Sequence, residues 1–331
     1  MLWLTDEDAL SFCTRLKDDV QQIICSDSRP TKRQVLRCLM SYFDPLGLLS
    51  HLLVHGKILL QDVWRTGIQW DEQVNETHSE RWRRWTALLQ CISDIRVPRC
   101  YFSEATIEHY SQLQLHVFVD ASEAAYAAVS YFRIIGKDGT PRCTLVAAKN
   151  KVAPFKPLTI PRLELQAAVL GVRLMRYILE SHTVPVTERY LWSDSSTVLG
   201  WLRADPRKYS QYVACRVGEI LTATNVNDWR WVPSKLNPAD LATKRGAGPT
   251  LDAGGIWFKG PSFLLLSVAE WPKKRAPQQT VEEELRACYV HCEKAPSIIE
   301  CSRFSKWERM HRATAYVYRY VFNLFTAGYR I

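Results

Sequence analysis

Nowhere in the sequence does an apolar run approach the ~20 residues that a membrane-crossing helix needs, so no bilayer span is expected. Ten cysteines are scattered without a repeating frame, which argues against a disulfide scaffold and for reduced thiols. The first residues, Met1-Leu-Trp-Leu-Thr-Asp-Glu7, lack the basic start and apolar core of a secretory leader. An intracellular protein is expected on these grounds. No internal repeat is visible, and no His/Cys cluster has the spacing of a closed zinc site. Cys288-Tyr-Val-His-Cys292 with Cys301 and His311 comes nearest, but Cys288 and Cys292, four apart, equally suit one face of an ordinary helix. Global disorder is excluded by a hydrophobic share of 47% over 331 residues, enough for a core and roughly two domains. The net charge of +9 favours a polyanionic partner. Nucleic acid fits that charge, and so does a plain solvated basic surface.

Periodicity divides the chain. Up to about Arg99 it reads as mainly helical. Thr31 suits the N-cap of a helix reaching Phe43, Asp44-Pro-Leu-Gly47 is turn chemistry, and helices follow over Leu52 to Trp64 and Ser79 to Ile95. The last contains Arg81-Trp-Arg-Arg-Trp85. Arginine with tryptophan can bind phosphates and stack on bases; on a helix, Trp82 and Trp85 also share one face that burial would claim. From Leu113 the pattern changes to strands: Leu113 to Val119, Ala124 to Ile135 and Cys143 to Ala148, with a hairpin turn at Lys137-Asp-Gly-Thr140. A long helix over Ile160 to Ser181 follows, then a strand at Arg189 to Trp192, helices over Thr197 to Leu202 and Tyr209 to Leu221, and a strand at Asp228 to Val232. The order β-β-β-α-β-α-α-β-α predicts an α/β fold with a mixed five-stranded sheet and flanking helices, preceded by the mainly helical segment. Beyond Gly246 an extended segment, a linker over Ala276 to Glu284 and a basic, aromatic-rich helix over Arg303 to Phe325 are expected.

Four carboxylates stand out in this frame: Asp120 in His116-Val-Phe-Val-Asp-Ala-Ser122, Glu164 in Pro161-Arg-Leu-Glu-Leu165, Asp194 in Leu191-Trp-Ser-Asp-Ser-Ser196 and Asp240 in Asn237-Pro-Ala-Asp-Leu241. Singly, each has a plain reading. Asp120 suits a turn after a strand, Glu164 an exposed helical charge, Asp194 a helix cap, and Asp240 a first helical turn where the dipole favours an anion. Together they say more. Asp120 and Asp194 both end apolar strands, where a side chain leaves the sheet at its rim. Glu164 lies between Leu163 and Leu165 near the apolar side of its helix, and a charge so placed needs a partner. Hard oxygen donors without a His/Cys cluster indicate Mg2+ or Mn2+.

Strand, helix, strand, helix is the carboxylate order of the ribonuclease H-like fold. The motifs Val119-Asp-Ala-Ser122, Pro161-Arg-Leu-Glu-Leu-Gln-Ala-Ala168, Trp192-Ser-Asp-Ser195 and Val232-Pro-Ser-Lys-Leu-Asn-Pro-Ala-Asp-Leu-Ala242 resemble the ribonuclease H domain of long-terminal-repeat retrotransposons, most closely the BEL/Pao group. Tyr42-Phe-Asp-Pro-Leu-Gly-Leu-Leu49 and Gly56-Lys-Ile-Leu-Leu-Gln61 are similar to the segment after the polymerase palm of that polyprotein, and Met1-Leu-Trp-Leu4 to its last palm strands. The Phe304 to Phe325 stretch resembles the segment before the integrase. The resemblance implies three parts: 1–105, the end of the palm with a thumb or connection-like segment; 112–245, the ribonuclease H-like domain; and 246–331, a linker and helix leading towards integrase.

The same resemblance implies a metal-dependent endoribonuclease that hydrolyses the RNA strand of an RNA·DNA hybrid during reverse transcription. Asp120 would bridge two Mg2+ or Mn2+ ions, Glu164 and Asp194 would hold one, and Asp240 the other. Lys149, Lys151, Arg162 and Lys235 are candidates for phosphate contacts and equally for solvated surface. Partners would be the hybrid and the polyprotein's reverse transcriptase and integrase parts, with no membrane, in a cytoplasmic particle or the nucleus. Two departures stand out. The loop Pro233-Ser-Lys-Leu236 lacks the histidine that many relatives carry before the last aspartate, and no Tyr-x-Asp-Asp polymerase motif occurs. A catalytically idle nucleic-acid-binding or scaffold remnant is the competing reading. An aspartic peptidase, suggested by the Pao peptidase label of this region, is disfavoured because Asp120-Ala-Ser122 and Asp194-Ser-Ser196 lack the glycine of an Asp-Thr/Ser-Gly turn. The four carboxylates are expected to surround one pocket holding two cations roughly 4 Å apart.

Overall fold

The computed structural model describes residues 1–13, 16–102, 110–137, 139–244, 251–273, 284–286 and 301–327. They fall into two units, Met1–Arg286 and Ala287–Ile331. In the first, β1 (Leu2–Leu4), β2 (Ala9–Ser11) and β3 (Val97–Pro98) form a small antiparallel sheet, with β3 too short to leave a periodic signal. The helices between them are α1 (Asp18–Cys25), α2 (Lys32–Met40), α3 (Ser50–Arg65) and α4 (Glu76–Gln90). Thr31 caps α2 in a reciprocal box with Gln34. The α4 helix starts before the expected Ser79 because the Asn75 side chain accepts from His78 N at 2.9 Å. It also stops earlier, and Ile92–Asp94 continue as a 3-10 turn. Trp82 and Trp85 are both buried, and the guanidinium of Arg81 donates to Asp62 at 2.7 Å. The tryptophans therefore belong to the core rather than to a base-stacking surface.

The second sheet has five strands: β4 (Tyr110–Ala121), β5 (Ala125–Gly136), β6 (Pro141–Val152), β7 (Glu188–Ser193) and β8 (Trp229–Trp231), in the order β6-β5-β4-β7-β8. The β4–β5 and β5–β6 pairs are antiparallel, whereas β4–β7 and β7–β8 are parallel. This is the mixed five-stranded sheet that the periodicity predicts. Asp138 of the hairpin turn lies outside the described residues, and Gly139 supplies a φ of +77° there. Between the parallel strands run α5 (Ile160–Ser181), α6 (Ser196–Arg203) and α7 (Gln211–Ala223).

Alternation along β4 sorts its side chains onto two faces. Leu113, Leu115, Val117 and Val119 pack with Leu165, Ala168 and Val172 of α5, and Val198 and Val217 of α6 and α7 belong to the same cluster. Phe118 turns the other way, into a cluster with Trp192, Tyr131, Trp257, Phe263 and Trp271, which also holds the α2–α4 core. So the N-terminal helices and the segment 251–273 cover the second face. That segment is draped on the sheet as expected, but in short helical turns, α8 (Ile256–Lys259), Ser262–Leu265 and Val268–Glu270, rather than as extended chain. Trp257 Nε1 donates to Leu48 O at 2.8 Å, and Tyr131 Oη donates to Trp257 O at 2.7 Å.

The Asp44-Pro-Leu-Gly47 turn docks the helices onto the edge strand. Its Asp44 carboxylate accepts from Leu48 N and Leu49 N at 2.9 and 2.8 Å. Ala148 N of β6 donates to Leu46 O at 2.8 Å, so the free edge finds a partner. Gly47 sits at φ +73° with its α-carbon against β6; a Cβ there would stand 1.9 Å from Ala148 O.

In the second unit, α9 (Trp307–Ala327) is the basic, aromatic helix expected near the end of the chain.

Helix α5 approaches β4 closely at Gly171, where an added Cβ would meet Val119 Cγ1 at 2.4 Å and Val117 Cγ1 at 3.4 Å. On an open helix a Gly-to-Ala change would gain about 1 kcal/mol. Here Gly171→Ala is expected to lose about 1–3 kcal/mol by overpacking, read as a lower urea midpoint. A raised midpoint would show that the close approach is not a constraint.

Candidate active site

Strand register brings two of the four carboxylates to one rim. Phe118 of β4 stands opposite Trp192 of β7 in a parallel pair. Two residues beyond each lie Asp120, still within β4, and Asp194, just past the end of β7. Asp120 is 8% exposed, and Asp194 is half-buried. The α5 helix carries Glu164 at its N-terminal end, half-buried. Asp240 lies in Pro238–Ala242, which is a 3-10 turn and not the α-helix expected. The Asn237 side chain explains the turn's place: its Oδ1 accepts from Ala239 N at 3.2 Å, while its Nδ2 donates to Val119 O at 3.0 Å. One amide thus caps the turn and ties it to the residue before Asp120. The cap of α6 is Ser195, which accepts from Val198 N at 3.1 Å, so Asp194 is not used as a cap.

Each carboxylate is held by a donor of its own. Thr243 Oγ1 donates to Asp120 Oδ2. Ser195 Oγ donates to Glu164 Oε2 at 2.6 Å and Ser234 Oγ to Asp194 Oδ2 at 2.5 Å. The Lys244 ammonium pairs with Asp240 Oδ2. Thr243 and Lys244 were not anticipated from the sequence; the only signal is their position just after Asn237-Pro-Ala-Asp-Leu-Ala242. Ser234 occupies the loop where a histidine is missing.

The four also share one electric field. Burial pushes the Asp120 carboxyl up to about 7; Asp194, then Asp240 and Glu164 add to the rise, and the Thr243 hydrogen bond opposes it. The Lys244 ammonium is held above its ordinary value by its bond to Asp240, and the charges of Asp240, Asp120 and Asp194 reinforce it. The donor chemistry fits a hard cation: the side chains that meet here are carboxylates and hydroxyls. Among the described residues, however, no three His, Cys, Asp or Glu side chains are drawn together as a ready-made ion site. Each of the four carboxylates instead meets an internal donor.

His116, in the same motif as Asp120, serves the core. It is fully buried, stacks on Tyr190 and Trp192, and accepts from Trp192 Nε1 at 3.1 Å. Burial, then Arg133 and Arg230, hold it well below the usual imidazole range. The basic candidates separate. Lys235 is exposed in the turn Ser234–Leu236, beside Ser234. Arg162 precedes Glu164 on α5, and its guanidinium is taken up by Glu284. Lys149 and Lys151 are exposed on β6, two strands from β4. They flank Asn150, which shares a cross-strand row with Ala127 and Asp120, so alternation turns both lysines to the face opposite Asp120. Lys149 Nζ lies 4.9 Å from the Tyr177 ring of α5. Cys288 and Cys292 of the alternative zinc reading lie outside the described residues.

The raised Asp120 carboxyl gives stability a pH dependence. Between the ordinary value of 3.8 and about 7 the folded protein keeps the proton and the unfolded chain releases it. Stability attributable to this group therefore falls as pH rises through that window and is level above it. Asp120→Asn removes the loss, on the order of a few kcal/mol. In chelator, the variant should melt with the wild type near pH 4 and above it by pH 8. A melting difference that does not change with pH would contradict the assignment.

The N-terminal RNase H domain of a Mycobacterium tuberculosis protein, studied as a fusion with maltose binding protein, is 14% identical, with a TM-score of 0.26, over 40% of this chain and 91% of that one. RNase H1 from the halophilic archaeon Halobacterium salinarum NRC-1 is 17% identical, with a TM-score of 0.25, over 39% of this chain and 91% of that one. No curated protein matches. Residues 31–195 match the family model described as the Pao retrotransposon-like RNaseH-like domain, a span that runs from the cap of α2 to the cap of α6 and takes in Asp120, Glu164 and Asp194. Through that span the chain belongs to the Pao retrotransposon family of RNase H-like domains.

Proposed function

We propose that the chain is a metal-dependent ribonuclease H, which hydrolyses the RNA strand of RNA·DNA hybrids during reverse transcription of a retrotransposon. One observation carries this reading: the buried Asp120 carboxyl feels Asp194, Asp240 and Glu164 at once. A carboxyl raised by burial and by three neighbouring acids is unfavourable for folding alone, and divalent cations would relieve it. Asp120, Glu164, Asp194 and Asp240 would together hold the Mg2+ or Mn2+ ions. When bound, such ions supply activation of the attacking water and stabilisation of the leaving oxygen. The chain's own groups do the rest. Thr243, Ser195 and Ser234 orient three of the carboxylates, and Lys235, which is exposed, would meet a phosphate. Preference for RNA would rest on contacts to the 2′-hydroxyl. The flanking segments 1–105 and 246–331 are, in this reading, the connection from a polymerase and the approach to an integrase of one polyprotein. No described helix is long and apolar enough to cross a membrane.

The test is cleavage of a labelled RNA·DNA hybrid by the purified chain across a Mg2+ titration. Cleavage should require the cation. Asp120→Asn should reduce it below detection while the circular dichroism spectrum stays native. Cleavage undiminished in EDTA, or full activity in the variant, would refute the proposal. Binding should separate from cleavage: hybrid affinity should persist in EDTA and fall linearly with the logarithm of salt, because phosphate contacts release counterions. Salt-insensitive or absent binding would point instead to a protein scaffold.

A further inference from the structure

Residues Glu284–Arg286 pair with the backbone just before α7. Ser210 N donates to Glu284 O at 2.7 Å, Arg286 N donates to Lys208 O at 2.8 Å, and Leu285 bridges Tyr209 antiparallel. The pairing sets the Glu284 carboxylate against the first turn of α5. There Arg162 Nε donates to Oε1 at 2.5 Å and Arg162 Nη2 to Oε2 at 2.8 Å. Ser210 Oγ donates to Oε2 at 2.7 Å. The Arg162 guanidinium also lies 4.7 Å from the Tyr212 ring. Three donors therefore converge on one anion whose side chain is 16% exposed. Glu284 takes φ +64° to reach them, a left-handed conformation that L side chains other than Asn and Asp rarely adopt.

A guanidinium fork with a hydroxyl beside it is the chemistry that recognises two oxygens of a phosphate as readily as those of a carboxylate. Arg162 stands two residues before Glu164, about 3 Å along the helix axis. The cradle thus lies at the same end of α5 as Glu164, although side chains two residues apart on a helix leave it in different directions. We propose that Arg162 and Ser210, backed by Tyr212, form a phosphate-binding cradle for a nucleic-acid backbone, and that Glu284 fills it as an internal competitor which the strand displaces. The identity of that strand rests on the nuclease reading; the cradle's affinity for phosphate does not.

Glu284→Gly separates the parts. Glycine accepts the left-handed backbone without strain, so the bridge to Tyr209 is kept while the carboxylate is lost. Glu284→Gln is the second variant, should the glycine weaken the bridge. Two measurements are made on the whole chain: the melting temperature against inorganic phosphate, and hybrid affinity in EDTA. Phosphate should raise the melting temperature of Glu284→Gly well beyond its effect on the wild type. The hybrid should bind this variant about tenfold tighter, the gain of roughly one more phosphate contact in the salt dependence. Adding Arg162→Gln should cancel both effects. Wild-type responses to phosphate and hybrid in both Glu284 variants would overturn the proposal, as would a gain that survives loss of Arg162. Should Mg2+-dependent cleavage be absent while the phosphate response is retained, the nuclease reading fails and the cradle stands.

Discussion

The parallel pairing of β4 with β7 is the contact on which the site depends. With Phe118 set opposite Trp192, Asp120 and Asp194 leave the sheet together, on strands separated by 70 or so residues of chain. A slip of one residue would send Asp120 to the α5 face and Val119 to the rim. The register is secured on both faces. Val117 and Val119 bury against α5 on one side, and Phe118 stacks with Trp192 on the other at an interplanar angle of 9°. Asn237 then reads the same strand end, through Val119 O, and delivers the Asp240 turn to it.

Asp120 bears an electrostatic cost: burial, then the charges of Asp194, Asp240 and Glu164, push its carboxyl up. The chain answers with Thr243, Ser195, Ser234 and Lys244, one donor to each carboxylate. The Arg162–Glu284 pair near the start of α5 obeys the same logic with the signs reversed: a cation fit for an external anion is met by an internal one.

The other face of the sheet explains why the helical segment belongs to the same compact unit. Phe118, Tyr131 and Trp192 would be exposed to water on a bare sheet. They are covered by the turn at Asp44–Gly47, by α3 and by the segment 251–273. The close seat of Gly47 on Ala148 O also pairs an edge strand that would otherwise be open to association.

Much of this was legible in the sequence because it is local. Alternation over Leu113 to Val119, the three-and-four spacing of Leu163, Ala167, Leu170 and Leu174, and the Thr31 cap each depend on neighbours a few residues away. The helix expected over Ile160 to Ser181 has those bounds in the structure, Asp120 and Asp194 are legible as acids at the ends of apolar runs, and Glu164 as a charge between two leucines of a helix. Short-range signals failed where a distant group decides the outcome. The start of α4 is set by the Asn75 cap, β3 is too short to read, and the Asp240 turn is held as a 3-10 turn from Val119, 118 residues away. Burial of Thr243 beside Asp120, the turn of Lys149 and Lys151 to the face opposite Asp120, and the capture of Arg162 by Glu284 likewise needed the fold. By itself the sequence determined which residues could carry the chemistry, because side-chain type and period are written in it. Only the tertiary structure decided which of them share one field and one face, because Coulomb forces and hydrogen bonds act through space and not along the chain.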